Sequence, residues 1–169
     1  MENHQSKTTY DKIVEVVAVA ALLCAFYPLL FYNNIDSDAI FPTHYNFAGE
    51  VDGWGDRTSL WAIPLIALAF YVGLSIVQKY PKIMNYPCKI TEQNADHLYR
   101  MGVQLIRHVK VLTILILAYV NNASYAIAVG KSVGLNSVIN ISLLAALFLT
   151  IIIYVVKMLR YKPLGIKKR

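Results

Sequence analysis

IVEVVAVAALLCAFYPLLFY, residues Ile13 to Tyr32, is twenty residues of almost unbroken apolar chain. A hydrocarbon core about 30 Å thick needs about 20 apolar residues at helical rise. Three more stretches reach that length: Ser59–Val77, Val111–Val129 and Val138–Val156. A water-soluble chain of 169 residues has no room to bury four such helices, because its surface must be polar. The sequence therefore predicts an all-α membrane protein of four transmembrane helices, with residues 1–169 forming a single domain. Hydrophobic residues make up 57% and charged ones 15%, below the roughly 25% charged content of soluble domains.

The net charge of +6 acquires meaning from its distribution. Of 16 Lys and Arg, two precede the first span, six lie between spans two and three, and six follow span four. Only Arg57 and Lys131 fall in the other two loops. Short basic loops stay in the cytoplasm. The count, 14 against 2, predicts a multi-pass protein with both termini cytoplasmic. The basic excess is an orientation signal first and a contact with the lipid bilayer's anionic headgroups second. Direct nucleic-acid binding is not expected. Span one is too long for a signal-peptide core and lacks a small-x-small cleavage site, so it is expected to be retained. Cys24 lies in a span and Cys88 in a cytoplasmic loop, which argues against a disulfide between them.

Local features refine the plan. Pro28 is expected to kink or end the first helix. Glu15, near the inner end of span one, is expected to reach headgroups or water. Pro64 sits where a missing backbone donor costs least, and Thr58 or Ser59 would cap the second helix. After the irregular stretch Tyr80–Lys89, Thr91 offers an N-cap. Ala95, Leu98, Tyr99, Gly102, Leu105, Ile106 and Val109 then recur at helical spacing. They predict a cytoplasmic amphipathic helix leading into span three, its Arg and Lys snorkelling to headgroups, with a docking surface for a cytoplasmic regulator as the alternative. Asn121, Asn122 and Ser124 interrupt span three. Amides in hydrocarbon need partners, so the patch reads as an interhelical hydrogen-bond clasp, or else as a polar path for a small solute. Asn140 and Ser142 lie at the outer end of span four, which is otherwise almost purely aliphatic.

The outer loop, NNIDSDAIFPTHYNFAGEVDGWGDR from Asn33 to Arg57, is the segment that is not generic. It holds five of the ten acids, one base, and the aromatics Phe41, Tyr45, Phe47 and Trp54. It predicts a structured extracytoplasmic cap of turns, with rings at headgroup level and acids in water. Gly53 and Gly55 around Trp54 suggest backbone angles that other residues avoid. His44 and Asp52 match no metal-ligand spacing, and a His that fixes the cap is the reading preferred to a metal site. No nucleophile motif or phosphate loop appears, so neither enzyme activity nor a cofactor is expected.

The run Phe41-Pro42-Thr43-His44-Tyr45-Asn46, followed by Gly49, Asp52-Gly53-Trp54 and Pro64, resembles a bacterial membrane domain of unknown function. That domain forms the amino-terminal half of Sdp-type immunity proteins. Tyr80-Pro81-Lys82, Asn85-Tyr86-Pro87 and Thr91-Glu92-Gln93-Asn94-Ala95 resemble it too, so the similarity covers about residues 13 to 120. The resemblance implies a bacterial inner-membrane location. In the best-known relatives it goes with protection from a secreted toxic peptide, and with holding a repressor at the membrane. Those relatives carry a second carboxy-terminal membrane module, which is not read after span four. Only the outer-loop element, His44, Asn46, Gly49, Asp52 and Trp54, is carried over as a recognition site for a cationic peptide or another envelope component. The rival readings are a small transporter or channel component, and a structural subunit of a membrane complex.

Overall fold

A computed structural model describes residues 8–161. Lys7 and the basic stretch from Lys162 to Arg169, counted above toward orientation, lie outside the described residues. Four helices dominate: α1 (Thr9–Phe26), α2 (Ala62–Val77), α3 (Ala95–Ala128) and α4 (Ser137–Arg160). Between α1 and α2 runs an antiparallel hairpin of β1 (Ile40–Tyr45) and β2 (Val51–Asp56). With their flanking 3-10 turns, the segments long and apolar enough to cross a membrane are Thr9–Asn34, Arg57–Val77, Ala95–Ala128 and Ser137–Arg160.

Each helix begins and ends for a local reason. Thr8 and Asp11 form a reciprocal capping box at the start of α1. Regular α-helix stops at Phe26, because Pro28 has no N–H to continue the ladder, and Tyr27–Asn34 tightens into 3-10 geometry. The cap before α2 is neither Thr58 nor Ser59. Asp56 accepts from the Thr58 backbone (2.8 Å) and hydroxyl (2.5 Å), capping the 3-10 turn Arg57–Trp61 that leads into α2. These bonds to the ionised form hold the exposed Asp56 carboxyl below the ordinary value. Thr91 is likewise not the cap of α3. Asn94 holds that position and turns its side chain back, accepting from Thr91 N (2.7 Å) and donating to Lys89 O (3.0 Å).

The amphipathic segment expected before span three is continuous with it. At 34 residues, α3 is about 50 Å long and outruns a hydrocarbon core of about 30 Å. It is the central element, with α1, α2 and α4 packed around it. Mid-bundle, Ala21, Ala25, Ala67, Ile114 and Ala118 let α1, α2 and α3 approach closely. Ile35, Phe41 and Leu60 seal the hairpin end, and Leu98, Met101 and Met158 the other. The main neighbour of α4 is α3, and its most apolar window is unburied within the molecule.

The expectation of a purely helical chain with a cap of turns is corrected at the hairpin. Alternation decides it: Asp52, Trp54 and Asp56 face out, while Val51, Gly53 and Gly55 turn inward. The glycine expectation also changes. Positive φ occurs among the described residues at Gly49 (+84°) and Gly130 (+73°), not at Gly53 or Gly55. Gly55 is required by close approach instead. A Cβ there would lie 2.5 Å from Ser59 Oγ and 2.8 Å from Thr43 Cγ2. Gly55→Ala is expected to destabilise the protein by about 1 kcal/mol, and by less in a Ser59→Ala background, as read by thermal unfolding in detergent.

Candidate functional site

The hairpin assembles its site by register. His44 lies opposite Gly53, and Pro42 opposite Trp54, with irregularities flanking His44. His44 Nδ1–H donates to Asp52 Oδ1 at 2.5 Å, and both side chains are exposed. The bond orients the imidazole and leaves Nε2 without a hydrogen bond among the described residues. Trp54 stands on the same outward row of β2 as Asp52 and Asp56, more than half exposed. The outward face therefore joins an oriented imidazole, an indole and two carboxylates.

Asn46 and Gly49, grouped with them in the sequence, do something else. Asn46 Oδ1 accepts from Ala48 N (2.9 Å) and Glu50 N (3.0 Å), and its Nδ2 donates to Glu50 Oε2 (2.8 Å). It organises the turn. Gly49 turns through positive φ to press against the α3–α4 connection, where Leu135 N donates to Gly49 O (2.9 Å) and Ser137 Oγ to Ala48 O (2.7 Å). The exposed face of the hairpin is thus His44, Asp52 and Trp54, with Asp56 beside them, held on a scaffold made by Asn46 and Gly49. Among the described residues no group of three His, Cys, Asp or Glu is placed to hold a metal ion.

The hairpin is pinned from below. Tyr45 Oη donates to Ser124 Oγ (2.7 Å), which donates to Val120 O (2.9 Å) on α3. Burial raises the Tyr45 pKa above the ordinary tyrosine value. The rest of the polar patch repairs a break in α1. Pro28 offers no N–H to Ala25 O, three residues before it, while Cys24 O is met by the Tyr27 N–H as the helix tightens. Asn121 Nδ2 donates to Ala25 O (2.9 Å), and Asn122 Nδ2 to Cys24 O (2.8 Å) and Ala118 O (2.8 Å). These are interhelical bonds of the clasp type.

A second polar cluster lies at the opposite end, and sequence reasoning missed its assembly. Arg107 Nη1 donates to Asp11 Oδ1, and its Nε lies 3.6 Å from Glu15 Oε1. Lys110 Nζ donates to Glu15 (2.8 and 3.0 Å) and to Ser75 Oγ (3.0 Å), 4.9 Å from the centre of the Tyr71 ring. Glu15 was expected to reach headgroups, and the basic residues of this helix to snorkel. Instead, Arg107 and Lys110 are buried and Glu15 is their counter-ion. The legible signal was a matched spacing: acids four apart on α1, bases three apart on α3.

Four bilayer-length apolar helices with a polar hairpin at one end define a multi-pass membrane protein. Residues 19–68 match the family model described as Domain of unknown function (DUF1648). The matched stretch runs from mid-α1 through the whole hairpin into α2. No curated protein and no solved structure was found to match the chain.

Proposed function

We propose that the chain is a non-enzymatic bacterial envelope protein of Sdp-like immunity or sensor type, with both termini cytoplasmic and the hairpin outside. The distribution of basic residues supports that orientation. The observation that carries the functional reading is the outward hairpin face, in which Asp52 and Asp56 flank the exposed Trp54 ring and His44 is locked against Asp52. Acids beside an aromatic platform suit a cationic amphipathic peptide. Held at this face, such a peptide is kept from inserting into the bilayer. The face is rigid, being tied to α3 by Tyr45 and to the α3–α4 connection through Ala48 and Gly49. Its ligand meets a preorganised surface.

The transporter reading has less support. The Asn121 and Asn122 amides are engaged with α1 carbonyls, and the cluster of Ala21, Ala25, Ala67, Ile114 and Ala118 fills the bundle between them and the charged end.

The test is survival of a sensitive bacterial host exposed to cationic membrane-active peptides. The wild-type chain is expected to raise survival against at least one. Asp52→Ala and Trp54→Ala, at unchanged membrane abundance, are expected to lower that protection about tenfold, the loss of about 1.4 kcal/mol of binding. Protection that is absent with every peptide, or unchanged in both variants, would overturn the reading.

A further inference from the structure

At the end opposite the hairpin, α3 and α4 continue past α1 and α2. The first turn of α1 meets α3 at Arg107, and the end of α2 meets it at Lys110. The dozen α3 residues before Arg107 are therefore flanked by α4 and the 78–94 connection. Met158 packs on Leu98 and Met101, and the His97 ring stacks on Tyr161, 3.8 Å apart at 9°. Between the two helices a groove of about 340 Å³ is lined by His97, Met101, Gln104, Tyr154 and Lys157.

We propose that this groove binds a phosphate group, as presented by the headgroup of an anionic phospholipid. Depth is the first reason. The apolar run of α4 ends at Val156, and Lys157 is the next residue. Gln104 and Met101 lie about 5 and 9 Å of helical rise beyond Arg107. The groove thus sits just past the hydrocarbon, in the layer that headgroups occupy.

Charge is the second reason. No Asp or Glu lines the groove. Lys157 has no carboxylate within ion-pair distance among the described residues, and its Nζ lies 5.7 Å from the centre of the Tyr154 ring. The acids of α1 that approach this end, Asp11 and Glu15, are already matched by Arg107 and Lys110. Lys157 is therefore a cation at the groove with no acid paired to it among the described residues.

Donors are the third reason. The Gln104 amide and the His97 ring nitrogens make no hydrogen bond among the described residues, and both face the space Lys157 borders. A cation with neutral donors beside it, between helices at the membrane surface, is the arrangement that selects an anionic headgroup.

Native mass spectrometry of the detergent-purified protein titrated with phosphatidylglycerol or phosphatidylcholine tests this. Phosphatidylglycerol is expected to bind more tightly than phosphatidylcholine. Lys157→Gln is expected to weaken it about fivefold, while Lys131→Gln, a like charge change in the α3–α4 connection, leaves it unchanged. An equal thermal unfolding midpoint confirms that Lys157→Gln is folded. Equal retention of the two lipids, or equal phosphatidylglycerol affinity in Lys157→Gln and wild type, would overturn the proposal. Added glycerol phosphate separates the two sources: displacement of bound lipid assigns the site to soluble phosphate esters, and persistence of the lipid assigns it to the headgroup.

Discussion

Lys110→Met is expected to destabilise the folded protein by about 3 kcal/mol, the largest effect of any single substitution considered. Lys110 is 1% exposed, and its Nζ is fully engaged by Glu15, Ser75 and the Tyr71 ring. Removing one partner of a buried ion pair leaves the other's charge uncompensated, at about 3–5 kcal/mol. The lower end applies because Glu15 keeps the Arg107 Nε at 3.6 Å and, with its side chain 23% exposed, recovers some hydration. The double variant Lys110→Met with Glu15→Met keeps the site neutral, with Arg107 still facing Asp11, and fills it with apolar volume. It is expected to recover most of the loss. Denaturant unfolding in detergent measures both. A double variant as unstable as the single one would show that the charges matter through something other than their pairing.

Asn121→Leu is expected to cost about 1–2 kcal/mol, because Ala25 O loses a donor inside the bundle. Its cause is Pro28, so its size depends on Pro28. In a Pro28→Ala background the backbone N–H at position 28 returns and serves α1 directly. There the same substitution is expected to cost less than half as much. A double-mutant cycle read by unfolding isolates the coupling. Equal costs in the two backgrounds would mean that the amide is not compensating for the proline.

The contrast between these two sites marks what hydropathy reveals and what it hides. The spans were legible because a bilayer imposes one length on every crossing. Ser59–Val77 falls within two residues of the observed Arg57–Val77, whereas Val111–Val129 matches the observed Ala95–Ala128 at its end alone, because the helix continues from the amphipathic segment before it. The break at Pro28 was legible because a missing N–H acts locally. Partners were not. Nothing near Lys110 in the chain announces Glu15, 95 positions away, and a basic residue at a span's edge reads equally well as one that snorkels. The hairpin was hidden for another reason. Strands of six residues containing proline or glycine carry little intrinsic preference, and only the in–out alternation of Val51–Asp56 records them. The outward residues His44, Asp52 and Trp54 were readable as a group. That Asn46 and Gly49 build the turn beneath them depends on hydrogen bonds that spacing does not encode.

The packing of α4 chiefly against α3 divides the molecule into regions of unequal mutational freedom. Along the outward flank of α4, Ile141, Phe148 and Ile152 answer only to acyl chains, and any aliphatic residue of similar bulk serves there. Substitutions on that flank should accumulate almost silently, whereas the buried positions of α3, packed against α1, α2 and α4, should tolerate very few.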